Sequence, residues 1–152
     1  DCKHKEAASL ISTKEWEVTI ETSSSKCQLW IDYFNGVESK YTNSLDQFLS
    51  ADTVLMGDII LTELLQGFDS DKEFLLAKHA LDPLDCVHIG GKSLAIQAAS
   101  NFRFLRSRGI TIRKTVDMLI ASWCIEHQVN LLHNDRDFDH IATLLPLQIY
   151  HG

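Results

Sequence analysis

The side chains whose type and placement offer chemistry in this sequence are carboxylates. Glu63, Asp117 and the run Asn134-Asp135-Arg136-Asp137-Phe138 are the acids to weigh. Carboxylates gathered at one point hold hard divalent cations. A cation so held polarises a phosphodiester, activates a water and stabilises the leaving oxygen, which are the three demands of phosphodiester hydrolysis. Each acid also has a plainer reading. Glu63 falls on the polar strip of a helix with Ile59 and Gln66, and helical spacing alone favours a solvated role for it. Asp117, in the first turn of a helix, could simply complement the helix dipole, worth about 0.3–1 kcal/mol. Asp135, Asp137 and Asp139 alternate as in a calcium loop, but the sixth position is His140 rather than Gly and the twelfth is Pro146 rather than Glu, so that reading fails. Arg136, between two aspartates, either neutralises its neighbours or binds phosphate.

Positioning such acids falls to alternating strands and helices. Residues 17–22, Glu-Val-Thr-Ile-Glu-Thr, read as a strand, and 28–34 as a helix stopped at Asn35-Gly36. A short helix is expected over 43–50 and a strand over 53–56, after which Asp58 can cap a helix whose apolar face carries Ile60, Leu61, Leu64, Leu65 and Phe68. A helix over 71–80, a strand over 85–89 and a helix over 93–108 ended by Gly109 follow. Thr115 can cap a helix with the stripe Val116, Leu119, Ile120 and Trp123. A strand over 129–132, a helix near 138–144 and a last strand over 147–150 complete the pattern. This alternation predicts an α/β fold with a mainly parallel sheet, its functional residues beyond the C-terminal strand ends.

The chain has 152 residues, 45% hydrophobic and 23% charged, which suits one ordinary globular domain. No apolar run approaches the roughly 20 residues that span a bilayer, and the first residues lack the order of a secretory signal. Cys2, Cys27, Cys86 and Cys124 are far apart and form no C-x-x-C pair, so reduced thiols in the cytoplasm are expected. The net charge of −7 speaks against a simple nucleic-acid coat protein. Yet residues 92–114 carry Lys92, Arg103, Arg106, Arg108, Arg113 and Lys114 with no acid among them. They are either a rim that draws phosphate toward acids or a solvated face on an acidic protein.

Residues 113–141, from Arg113-Lys114-Thr115-Val116-Asp117 to Asn134-Asp135-Arg136-Asp137-Phe138-Asp139-His140-Ile141, closely resemble the C-terminal half of PIN-domain ribonucleases of the VapC toxin class. Trp30-Ile31-Asp32-Tyr33-Phe34-Asn35-Gly36 resembles that family's first helix, and Thr62-Glu63-Leu64-Leu65-Gln66-Gly67 its second acidic motif. The resemblance implies a PIN-like three-layer sandwich, a central mainly parallel sheet flanked by helices, over residues 18–152, with 1–17 as an extension. It implies catalytic roles for Glu63, Asp117, Asp135 and Asp137, with Asp117 and Asp137 as metal ligands and Asn134 a polar neighbour. Asn134, Arg113 and Lys114 are the expected substrate-binding residues beside them. Mg²⁺ or Mn²⁺ is the implied cofactor and RNA the implied substrate, cut to a 5′-phosphate and a 3′-hydroxyl. The implied partners are a cognate antitoxin and a second copy of the chain in a homodimer.

At the family's first acid the sequence departs from the pattern. Relatives end their first strand in a sequence resembling Val-Asp-Thr-Ser-Val-Trp-Ile-Asp, whereas Ser25-Lys26-Cys27-Gln28-Leu29 precedes Trp30 here. Without gaps, Lys26 takes the place of the aspartate, and a charged lysine repels a cation. With about five residues inserted, Glu21 ends the strand and becomes the third metal ligand. A decayed or frame-shifted start over residues 1–29 is a third reading. Asp32 is a poor substitute, since it falls on the helix beyond the site. An alternative function follows, a catalytically impaired PIN domain that binds antitoxin or RNA. A small-molecule α/β enzyme has little support, because no Gly-rich phosphate loop or nucleophile elbow is present.

Overall fold

The computed structural model describes residues 17–19, 32–50, 54–133 and 135–150. In chain order these form β1 (Glu17–Thr19), α1 (Lys40–Ser50), β2 (Val54–Gly57), α2 (Asp58–Gln66), α3 (Asp71–Leu81), β3 (Asp85–Val87), α4 (Lys92–Ser107), α5 (Thr115–His127), β4 (Asn130–Leu132) and α6 (Arg136–Leu144). The sheet runs β3-β2-β1-β4 and every neighbouring pair is parallel. Val18 faces Leu55 on one side and Leu131 on the other, while Leu55 faces Asp85. The chain steps outward from β1 to β3 and then returns to β4 across β1. This reversal opens a crevice beyond the C-terminal ends of β1 and β4.

Burial explains the strands. Val54, Leu55, Met56 and Gly57 are all buried, as a strand covered on both faces requires. They pack with Leu64, Leu105, Ile120, Leu131, Leu132, Phe138 and Ile141 into one core. Gly57 has no space for a side chain, because a Cβ there would collide with Ile89.

Helix ends fix the connections. α4 closes with the Ile110 N–H on the Leu105 carbonyl and the Gly109 N–H on that of Arg106, with Gly109 at φ 87°. This is a Schellman turn, and a glycine adopts its left-handed residue without strain. It reverses the chain so that α5 packs antiparallel on α4. Because α5 precedes the parallel strand β4, its first turn lies over the C-terminal strand ends.

Several expectations are corrected. Asp58 is the first residue of α2 rather than its cap, Gly57 holding the cap position. Lys114, not Thr115, stands at the N-cap of α5. α5 has no single apolar stripe: Met118, Ala121, Ser122 and Cys124 are buried along with Ile120 and Trp123, because α4 and α6 both pack on it. The expected strand over 147–150 is reduced to one bridge between Leu131 and Ile149. The Leu147 N–H is spent on the Leu145 carbonyl instead of a ladder. The expected helix over 28–34 is seen at residues 32–34, its earlier residues lying outside those described. No helix among the described residues is long and apolar enough to cross a membrane.

Candidate metal centre

Three of the acids meet where the topology opens its crevice. Asp117 lies in the first turn of α5, while Asp135 and Asp137 lie where β4 hands over to α6. One carboxylate oxygen from each lies within 4.8 Å of the others, a spacing that a single cation can bridge. Asp135 is also the N-cap of α6: its Oδ1 accepts the Asp137 N–H at 2.9 Å, which fixes the two acids relative to each other.

Asp117 is the unusual member. It is 1% exposed, and neither carboxylate oxygen has a hydrogen-bond partner among the described residues. A buried carboxylate without donors is costly as an anion. Burial therefore pushes its pKa up to about 7, helped by the charges of Asp135, Glu63 and Asp137 and opposed by Lys114. The donor set fits a hard divalent cation, all oxygen, with one member whose oxygens receive no hydrogen bond among the described residues.

Glu63 departs from the solvated reading that helical spacing favours. Its Oε1 is buried and its charge raises the pKa of Asp117, so it points into the acidic cluster. Periodicity misjudged it because burial at this position differs from that of its helix neighbours, Thr62 and Gln66 being exposed. Arg113 is 78% exposed, and its Nε stands 3.6 Å from Asp137 Oδ2. Lys114 acts on Asp117 through its charge. Two others of the basic run behave differently: the Arg106 guanidinium lies over the Phe102 ring at 5.5 Å and that of Arg108 over Phe104 at 5.1 Å. Glu21, Lys26 and Asn134 lie outside the described residues.

Sequence reasoning passed over His133. The residue is buried at the end of β4, accepts the Asp135 N–H on Nδ1 at 2.9 Å and holds Nε2 3.3 Å from Asp139 Oδ1. Its signal was spacing: a side-chain acceptor two residues before a needed backbone N–H mimics a turn.

Comparison with known proteins places the chain in a family. A VapC ribonuclease of Mycobacterium bovis, Mb1587, is 29% identical over 133 residues, covering 86% of this chain and 96% of the relative. Ribonuclease VapC11 of Mycobacterium tuberculosis matches with the same identity and coverage. Among solved structures, VapBC2 from Rickettsia felis bound to a DNA fragment from their promoter superposes with a TM-score of 0.65 at 19% identity, over 88% of this chain and 97% of that one. DNA-bound VapBC from Salmonella typhimurium gives a TM-score of 0.66 at 15% identity, over 90% and 98%. The PIN domain family matches residues 28–144, a span holding Glu63, Asp117, Asp135 and Asp137 together with every described element except β1, and with that match the chain belongs to the PIN domain family.

Proposed function

We infer that this chain is a divalent-metal-dependent endoribonuclease, the toxin of a toxin–antitoxin pair. One observation carries the chemistry: the buried carboxylate of Asp117, without a hydrogen-bond donor among the described residues, with Asp135 and Asp137 in bridging range. The likeness to VapC ribonucleases supports RNA as the substrate. The VapBC likenesses support an antitoxin partner.

Asp117, Asp135 and Asp137 hold the ion in this reading, Mg²⁺ or Mn²⁺, with Glu21 as a further ligand. When bound, the ion polarises the phosphodiester and lowers the pKa of a water. Glu63, with its buried oxygen at the cluster's edge, orients the attacking water. Arg113 is exposed enough to leave Asp137 and take a phosphate oxygen in its planar fork. Lys114 offsets part of the charge around Asp117. Asn134 and the basic residues among 92–114 help to seat RNA, whose backbone the acids alone would repel. The protein works in the cytoplasm as a homodimer over a domain of residues 18–152.

The test is cleavage of RNA by purified protein in Mg²⁺ or Mn²⁺, with end analysis for a 5′-phosphate and a 3′-hydroxyl. Cleavage by Asp117→Ala equal to that of the parent would place the activity elsewhere.

A further inference from the structure

We propose that His133 is a positioning residue for the acidic centre, an acceptor of fixed tautomer that sets the turn presenting Asp135 and Asp137 to Asp117; this rests on the reading of those acids as a cation site. The imidazole directly follows β4 and is 7% exposed. Its Nδ1 accepts the Asp135 N–H at 2.9 Å and so carries no proton; in the neutral ring the proton is on Nε2. Nε2 faces Asp139 Oδ1 at 3.3 Å, outside hydrogen-bond alignment, so the attraction there is Coulombic and calls for the same tautomer. The ring also packs against Phe138 at a centroid distance of 5.1 Å, anchored to the core.

From this fixed ring the order passes outward in two steps. His133 holds the backbone N–H of Asp135, and Asp135 Oδ1 holds the backbone N–H of Asp137. Both acids thus stand on one chain of hydrogen bonds that begins at a buried acceptor. Asp117, on a different helix, contributes no hydrogen bond to the arrangement among the described residues. The meeting of the three acids therefore depends on the turn after β4 being held in place. Outer-sphere groups that orient ligating carboxylates act in this way.

Two substitutions separate the acceptor from mere bulk. His133→Asn puts an amide oxygen close to the place of Nδ1 and keeps the acceptor, whereas His133→Gln carries its polar group out to the place of Nε2 and loses it. Mn²⁺ binding by calorimetry, with metal-free thermal unfolding alongside, reads the difference. The expected result is a His133→Asn affinity within about 3-fold of the parent, and a loss of about 10-fold or more in His133→Gln. Equal loss in both variants, no loss in either, or losses that merely follow the unfolding temperature overturn the proposal. The parent protein supplies a test without substitution: an imidazole ¹⁵N spectrum showing unprotonated Nδ1, with a slowly exchanging Asp135 amide, supports it. A protonated Nδ1 or a freely exchanging amide rejects it. Absence of Mn²⁺ binding in the parent removes the underlying reading of the site, and the proposal with it.

Discussion

Asp58 and Asp117 are the same residue type, each in the first turn of a helix at the C-terminal edge of the sheet, and the fold treats them in opposite ways. Asp58 Oδ1 accepts the N–H groups of Ile59 and Ile89 at 2.8 and 2.9 Å, and Oδ2 meets His88 Nδ1 at 3.0 Å. Burial alone would raise its pKa, but the hydrogen bonds from Ile89, His88 and Ile59, with the charge of His88, hold it below the usual value. It braces the end of β2 to the segment leaving β3. Asp117 receives no donors among the described residues and is driven up to about 7. One acid is satisfied by backbone and side-chain donors, and the other meets no donor among the described residues. Strongly perturbed acids beside like charges in a crevice mark functional sites for this reason.

The sharpest way to break the comparison is Asp117→Asn. Removing a ligand should weaken Mn²⁺ binding and RNA cleavage by at least about 100-fold, at the upper end of what loss of outer-sphere groups costs. In chelator at pH 8 the same change should raise the unfolding temperature, because a neutral amide replaces a buried anion beside three other acids. A lower unfolding temperature would mean that Asp117 is a structural brace after all.

Asp58→Ala should do the reverse. It leaves the Ile89 N–H without its acceptor and should cost about 2 kcal/mol. At roughly 2–4 °C per kcal/mol in a chain of this size, thermal unfolding should move down by about 4–8 °C. Mn²⁺ affinity should stay within about 2-fold of the parent, well short of an outer-sphere loss. A large fall in affinity would merge the two regions into one functional unit.

The pH dependence of metal-free stability should carry both signs. Asp117 has a folded pKa raised from 3.8 to about 7, so the folded state holds the proton more tightly and stability from this group falls as pH rises between those values. Asp58 has a lowered folded pKa, so its contribution is present above 3.8 and is lost as pH falls through the folded value. Urea unfolding from pH 3 to 8 should therefore show an acid loss that Asp58→Ala reduces and a decline toward neutrality that Asp117→Asn flattens. A neutral-side slope unchanged in Asp117→Asn would assign it to other groups.

The contrast also separates what the sequence discloses from what it hides. Element type was legible wherever one period dominated: Val54–Gly57 and the apolar face of α2 lie within a residue or two of expectation. That Asp117 would meet Asp135 and Asp137 was expected from resemblance to the family's motifs, and only Asp135 and Asp137 are near enough in sequence to stay together in any fold. Hydrogen-bond partners distant in sequence were not legible. That Asp58 reaches across to Ile89 depends on the pairing of β2 with β3, and the Glu63 oxygen is buried by what lies beyond α2 rather than by anything on it. The caps failed for a related reason. A helix start was expected to spend its own aspartate locally, but tertiary donors competed for Asp58.

Arg113 gives the smallest expected effect and refines the comparison most. Its Nε stands 3.6 Å from Asp137 Oδ2, looser than the 3.0 Å between His88 Nδ1 and Asp58, and at 78% it is as exposed as His88 at 75%. A pair of that kind contributes at most about 1 kcal/mol to stability. If Arg113 is a brace, Arg113→Ala should lower the unfolding temperature slightly and leave RNA kinetics unchanged. If it is a phosphate ligand held in reserve, the same change should leave stability almost untouched and raise KM for RNA about 5-fold, equivalent to roughly 1 kcal/mol of binding. The dependence of RNA binding on salt should then flatten by about 0.7 in the log–log slope, the share of one contact to a single strand. Mn²⁺ should bind the variant slightly more tightly, since Asp137 no longer has a competing cation beside it. We expect the second pattern, because an arginine so exposed gains little from a loose pair with Asp137, whereas a phosphate entering the crevice would offer it two oxygens at once.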